Sequence, residues 1–236
     1  MTFRVKRMYA IFQKDLKDFS KNMYIGSILL MPILLAAIYG RMGIDSIESH
    51  YLIINLTFAT VTAFVQCALI AEEKEKNTLR SLMLSPASLP EILGGKSLVT
   101  LLITVITIVV CSMLTGYEPV NVFPIAIAII LSAFFYIALG TLFGLLTKSV
   151  MEASVIMLPV MFVFGFGSML QTLVEKYPIL SFADYMPNIQ IIETASKVQA
   201  GSGLADVWFH IGVIAIWFVA AAVITAAVFK KRELDE

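Results

Sequence analysis

The sequence predicts an all-α membrane protein with six transmembrane helices and both termini in the cytoplasm. Hydrophobic residues make up 59% of the 236 residues and charged residues only 14%. Soluble domains have about 45–50% apolar and about 25% charged residues. Because this much apolar surface needs a covering other than water, lipid is the expected surrounding, and the positions of the charges test that interpretation.

Six stretches of the chain contain no Asp, Glu, Lys or Arg, and each is close to the length of a membrane span. A helix needs about 20 apolar residues to cross about 30 Å of hydrocarbon, and it satisfies every backbone polar group internally. A charge at the centre of a span costs about 2.5–3.5 kcal/mol on insertion scales. No internal repeat is evident, so residues 1–236 are interpreted as a single membrane domain. The predicted spans are approximately 23–40, 51–71, 97–115, 124–147, 153–173 and 207–229.

The distribution of basic residues predicts the orientation of these spans. The segments before the first span, between the second and third, between the fourth and fifth, and after the sixth hold 14 of the 17 Lys and Arg residues. Because basic residues concentrate in cytoplasmic segments, we expect both termini in the cytoplasm. The expected location is the cell membrane, as a multi-pass protein of a prokaryotic inner or plasma membrane. A formal net charge of zero gives no indication of a nucleic-acid partner.

Two segments outside the spans have helical periodicity. In residues 1–22, apolar residues such as Val5, Met8 and Phe12 recur every three or four positions among basic residues. A basic amphipathic helix of this kind lies in the headgroup plane and is attracted to anionic lipid, so residues 1–22 are predicted to be an interfacial helix with membrane lipid as a partner. The long outer segment 174–206 is predicted to hold short helices before the last span.

The most specific stretch is the cytoplasmic segment 72–96. Thr78 can cap a short helix that ends before Pro86. Ser88 can cap a second short helix, which the glycine pair 94–95 is expected to stop before the third span. Isolated helices this short are marginal in water, so we expect this segment to dock onto another molecule.

The same segment carries the pattern Glu-Lys-x-Thr-Leu-x-x-Leu-x-x-Ser-Pro, followed by Glu-x-x-x-Gly-Lys. It resembles the loop after the second span of type-2 ABC-transporter permeases, which are the membrane subunits of exporters. The wider layout is also similar to that family, with a basic amphipathic N-terminal helix, six spans and a long last outer loop. The residues that fill the pattern are Glu75, Lys76, Thr78, Leu79, Leu82, Ser85, Pro86, Glu91, Gly95 and Lys96.

The resemblance implies that this loop is a coupling helix that docks on a separate ABC ATPase subunit. It also implies a second permease subunit, so that a homo- or heterodimer forms the translocation path. ATP and Mg would be bound by the partner subunit, and no cofactor by this chain. The ATPase-coupling residues implied are Glu73, Glu75, Lys76, Thr78, Leu79, Leu82, Ser85, Pro86 and Glu91. In the family the first and fifth spans commonly line the path and the dimer interface, which gives the candidates Pro32, Pro159, Phe162, Gly165, Phe166 and Gly167.

The chain is predicted not to be an enzyme. Residues 94–97 read Gly-Gly-Lys-Ser, but a phosphate-binding loop would require Gly at position 90, where this chain has Pro90. Cys67 and Cys111 both fall in predicted spans and are interpreted as packed residues rather than a disulfide or metal pair. The pair Gly140 and Gly144 predicts a close helix contact, which we expect within the subunit.

Two alternatives come from other functional classes. A stand-alone secondary carrier or channel would place ionisable residues or paired broken helices at mid-membrane. The polar groups at depth here are uncharged, as in Asn55, Thr57, Gln66 and Ser132. A non-transporting immunity or scaffold protein of the membrane would not need the loop pattern. We therefore expect the membrane-spanning permease subunit of an ATP-driven ABC exporter, with drug-like amphiphiles, lipids and peptides all open as substrates.

Overall fold

Every regular element in the described part of the chain is helical. The computed structural model describes residues 4–76, 78, 88–167 and 178–235. A 3-10 helix spans Pro178–Tyr185, and π-helical turns within α4 span Phe58–Ala63. The α-helices are α1 (Val5–Lys21), α2 (Met23–Ser27), α3 (Leu30–Met42), α4 (Ile47–Glu75), α5 (Leu89–Thr115), α6 (Val122–Leu146), α7 (Val150–Gly165), α8 (Pro187–Gln199) and α9 (Leu204–Asp235).

Five helical stretches are long and apolar enough to cross a membrane, so the prediction of an all-helical membrane protein is confirmed. These stretches are Met23–Met42, Ile47–Glu75, Pro90–Thr115, Val122–Leu146 and Ala205–Lys230. They correspond to the first, second, third, fourth and sixth predicted spans. The fifth predicted span begins in α7, whose 16 residues are fewer than the roughly 20 that a span needs, and residues 168–173 of that prediction lie outside the described residues. A sixth span therefore stays a prediction.

Helix α4 is the buried centre of the bundle. It has 29 residues, or about 43 Å at 1.5 Å per residue, and it continues past the predicted span 51–71 into the segment predicted to be a loop.

Helix α6 packs closely against α4 because of two glycines. A Cβ atom on Gly140 would lie 2.3 Å from the Ala63 carbonyl oxygen, and one on Gly144 would lie 2.8 Å from Ile70 Cβ. The glycine pair thus makes its close contact within the subunit, as predicted.

Buried side-chain hydrogen bonds join α4 to its neighbours. Gln66 Nε2 donates to Thr141 Oγ1 of α6 at 3.0 Å, and Gln66 Oε1 accepts from Thr100 Oγ1 of α5 at 2.6 Å. One turn away, the Thr62 and Thr104 hydroxyls are 2.9 Å apart. Because buried polar groups need partners, these bonds fix how α4, α5 and α6 are aligned.

The predicted break at the glycine pair 94–95 is wrong. Helix α5 runs without interruption from Leu89 to Thr115. Glycine in a helix interior costs about 1 kcal/mol relative to alanine, and packing outweighs that cost here. A Cβ atom on Gly95 would lie 2.8 Å from Ile11 Cβ and 2.9 Å from the Met8 carbonyl oxygen. The glycines therefore allow α1 to lie directly against α5.

Candidate functional site

A buried ion cluster joins α1 to the two helices that flank the 72–96 segment. Lys96 Nζ of α5 lies 2.9 Å from Asp15 Oδ2 of α1 and 3.1 Å from Glu73 Oε1 of α4. Lys96 and Asp15 are each only 1% exposed. Charges this deeply buried persist only when they are paired, so the cluster fixes the position of α1 against α4 and α5.

Glu73 is the centre of this cluster. Its carboxylate accepts hydrogen bonds from Lys14 Nζ and from Thr78 Oγ1 in addition to Lys96. Burial alone would lower the pKa of Lys14, but its hydrogen bond to Glu73 and the nearby carboxylates raise that pKa above the ordinary value of a lysine. Glu73 thus connects the N-terminal helix to the beginning of the predicted coupling segment.

Glu91 makes a second connection at the other end of the segment. Its buried carboxylate accepts hydrogen bonds from the backbone N–H groups of Ser88 and Arg4, and the Arg7 guanidinium lies 3.8 Å away. Ser88 is the N-cap of α5, and Pro90 lies in the first turn, where its missing N–H leaves no helical hydrogen bond unmade. The predicted helix start at Ser88 is thus confirmed. Glu91 attaches that start to the first turn of α1.

The end of α4 also contacts the turn between α6 and α7. Lys74 Nζ donates to the carbonyl oxygens of Leu145, at 2.8 Å, and of Thr147. Glu75 accepts from the backbone N–H of Val150 at 3.0 Å. Two adjacent charged residues of the predicted coupling loop therefore bind a neighbouring turn of the same chain.

The described members of the predicted ATPase-coupling set have four different surroundings. Glu73 and Thr78 belong to the ion cluster, whereas Glu75 contacts the turn between α6 and α7 and Glu91 contacts α1. Lys76 forms a hydrogen-bonded ion pair with Glu72, which lies one turn earlier in the helix. The hydrogen bond to the Glu72 carboxylate raises the pKa of Lys76. The rest of the set lies outside the described residues: Leu79, Leu82, Ser85 and Pro86.

Asp15 and Lys74 were not identified from the sequence as site residues. Asp15 lies four residues after Ile11 and seven after Met8, on the side of α1 that faces the α5 glycines. A charged residue at that helical spacing was the available signal for a buried ion pair. Lys96 was part of the family pattern, but nothing in the sequence indicated that Asp15 is its partner.

The candidate path residues of the fifth predicted span lie at the end of α7. Phe162 is 65% exposed and stacks on Phe166 with ring centroids 5.9 Å apart. The helix ends at Gly165, which packs on α4, and a Cβ atom on Gly167 would lie 2.7 Å from Asn188 Nδ2 of α8. The end of α7 is therefore packed against α4 and α8, while Phe162 points away from the bundle.

The two proline candidates differ in their surroundings. Pro32 is buried in the first turn of α3, where its missing N–H leaves no helical hydrogen bond unmade. Pro159 is exposed and lies inside α7, where proline removes one helical hydrogen bond.

Among the described residues, no group of three or more His, Cys, Asp or Glu side chains could hold a metal ion.

The helical bundle and the family pattern on its α4–α5 segment define a multi-pass membrane protein of transporter type. A family model described as ABC-2 family transporter protein matches residues 45–227, which is more than three quarters of the chain. The chain belongs to this family, the ABC-2 type transporter permeases. Members are membrane subunits that generally associate with an ABC ATPase. No curated protein shows significant similarity to the chain.

Proposed function

We propose that this chain is the membrane-spanning permease subunit of an ATP-driven exporter. It acts as a dimer with a second permease subunit and is coupled to two separate ATPase subunits that bind ATP and Mg. In this proposal the chain has six spans with both termini in the cytoplasm, and residues 72–96 face the ATPase. Family membership supports the general assignment, and the contacts of the 72–96 segment support the mechanism.

The observation that carries the proposal is that both ends of this segment are bonded to α1. Glu73, on one side, bonds Lys14 and Lys96, and Glu91, on the other, bonds the N-terminal turn of α1. Closure of the ATPase subunits would push on residues 78–93, and these bonds would carry the displacement to α1, α4 and α5. Lys74 and Glu75 would extend it to the turn between α6 and α7.

The coupling residues therefore have two roles in this proposal. The carboxylates of Glu73, Glu75 and Glu91 transmit the movement, because they are bonded within the chain. We assign contact with the ATPase to the apolar residues Leu79 and Leu82, together with Lys76, Ser85 and Pro86 of the same segment. An apolar contact releases water on docking, which is the dominant favourable term in most protein associations.

The path and dimer interface are assigned to the outward faces of α3 and α7. Leu34 and Ile38 of α3 and Leu158 and Phe162 of α7 are exposed in the single subunit. Without a hydrophobic driving force in lipid, helices associate by close packing, and Phe162 can supply packing area between two copies. Alternation of these helices between two arrangements would open the path inward and then outward.

Affinity purification from gently solubilised membranes tests the coupling assignment. The double variant Leu79→Asp/Leu82→Asp should insert normally but lose the co-purifying ATPase, because two charges would be placed in the apolar contact. Val120→Asp is the matched control, since Val120 is exposed in the hairpin between α5 and α6. Unchanged ATPase recovery with the double variant would contradict the assignment, as would labelling of residues 79–87 from outside the cell.

Cysteine cross-linking tests the dimer interface. The natural Cys67 and Cys111 are buried, so a single introduced cysteine can be followed in membranes. We expect Phe162→Cys to form a disulfide-linked dimer and Val105→Cys, on the exposed side of α5, to remain monomeric. Cross-linking of both variants to the same extent would indicate random collision rather than an interface through α7.

A further inference from the structure

A groove lies between α5 and α6, below the hairpin that joins them. Its volume is about 460 Å³, within the range of about 300–1,000 Å³ that is usual for ligand sites. Ile54 of α4 also lines the groove, and the exposed Val109 and Met113 mark its open side. Its apolar walls are formed by Ile108, Val109 and Met113 of α5 and by Ile125, Ala126 and Ile129 of α6.

The open side of the groove faces the bilayer. Val109 and Met113 are exposed, and both lie within a helix that is long and apolar enough to span a membrane. Lipid, rather than water, therefore has access to this opening. An acyl chain matches the apolar walls because it is already surrounded by hydrocarbon and gains close packing, rather than release from water, by lying between the two helices.

The hairpin end of the groove has a single charge. Glu118 lines the groove and is exposed, and it is the only Asp, Glu, Lys or Arg between residues 97 and 147. Ser112 and Tyr117 add hydroxyl groups to the lining, and the Tyr117 hydroxyl lies 3.1 Å from that of Tyr51. Because Glu118 is the one charged residue among those that line the groove, the hairpin end of the groove attracts a cationic headgroup and repels an anionic one.

We propose that this groove is a binding site for a phospholipid whose headgroup carries a primary ammonium, as in phosphatidylethanolamine. The ammonium pairs with the Glu118 carboxylate, and one acyl chain lies between α5 and α6 against Val109 and Ile125. The site is separate from the ion cluster and from α7, so it does not rest on the proposed transport function.

Native mass spectrometry of the purified full-length chain tests the headgroup. The protein is titrated with dioleoyl-phosphatidylethanolamine and with dioleoyl-phosphatidylglycerol, which share their acyl chains. We expect the first to bind up to about fivefold more tightly, which is the upper end of the contribution of one exposed ion pair. Glu118→Gln should abolish this preference, whereas Glu48→Gln, an exposed acidic residue near the start of α4, should retain it. Equal binding of the two lipids to the wild-type chain, or a preference that survives Glu118→Gln, would overturn the proposal.

A second pair of variants tests the acyl-chain position. Val109→Trp places a large ring in the groove, while Val105→Trp places the same ring on the same helix one turn away, outside the groove. Val109 is 52% exposed and Val105 is 43% exposed, so neither substitution disturbs a packed core. We expect Val109→Trp alone to reduce retention of phosphatidylethanolamine about fivefold, because the indole ring occupies the space that the acyl chain would fill. Equal effects of the two substitutions would overturn the assignment of the groove.

Discussion

Replacement of Lys96 by methionine measures how strongly the ion cluster holds α1 to the bundle. Removing one partner of a buried ion pair costs about 3–5 kcal/mol, because the remaining charge stays buried and uncompensated. Glu73 would retain Lys14 and Thr78, while Asp15 would retain Lys14 at 3.6 Å. Since these contacts offset part of the loss, we expect Lys96→Met to lower the free energy of unfolding by about 3 kcal/mol.

Unfolding of the purified chain by SDS in mixed micelles gives this free energy directly. The double variant Asp15→Asn/Lys96→Met removes the charge on both partners, and it should recover about 1–2 kcal/mol relative to Lys96→Met alone. Lys17→Met is the matched control, because Lys17 is an exposed lysine of α1 and should change stability by less than about 0.5 kcal/mol. A loss below about 1 kcal/mol for Lys96→Met, or a double variant no more stable than the single one, would refute the reasoning.

Three further outcomes are expected from the same unfolding measurement. Gly140→Ala should cost about 1–3 kcal/mol because its Cβ would overlap a carbonyl of α4, whereas Gly212→Ala, with no atom within 4 Å of the added Cβ, should be neutral or slightly stabilising. Gln66→Leu should cost about 0.6–1.7 kcal/mol, from the average to the maximum for hydrogen bonds between membrane helices, and a stabilised variant would contradict the network. Lys14→Met should destabilise the chain at neutral pH. Because pairing with Glu73 raises the pKa of Lys14, its contribution is present below the ordinary lysine pKa of about 10.4 and is lost as the pH rises through the raised value. The difference from the wild type should therefore shrink above about pH 10.4, and a constant difference would exclude a role for the lysine charge.

The helical class could be predicted because it depends on composition and on where the charged residues fall along the chain. Long uncharged stretches must be covered by lipid, and helices satisfy their own backbone groups there. The helix ends were harder to predict, since charge marks the edge of the hydrocarbon and not the end of a helix. Helix α4 continues through Glu72, Glu73, Lys74 and Glu75, whose residue types are good helix formers, although these residues were assigned to a loop.

The contacts of the candidate site could be predicted only in part. The family pattern pointed to residues 72–96, and Ser88 was identified correctly as a helix cap. The pairing of Asp15 with Lys96 spans 81 residues and depends on how α1 packs, which no local pattern specifies. Glu75 binds a backbone N–H, and every residue type except proline offers that group, so its partner left no signal in the sequence.

The glycine pair 94–95 shows how packing can outweigh local propensity. In isolation these residues favour a helix end, and this was the prediction. In the folded chain Gly95 lets the backbone of α1 approach α5 closely, and the apolar contact with Ile11 and Met8 offsets the propensity cost. A pair of glycines beside a charged amphipathic helix is therefore better interpreted as a docking surface for that helix than as a break.

The adjacent residues Lys74 and Glu75 also bind two helix ends that carry opposite partial charges. The cation meets the last carbonyls of α6, where the dipole is negative, and the anion meets the first N–H of α7, where it is positive. Transposing the two residues would keep composition, net charge and topology signals unchanged. It would nevertheless place each charge at a helix end of its own sign, so the order of these two residues is itself a structural determinant of the turn between α6 and α7.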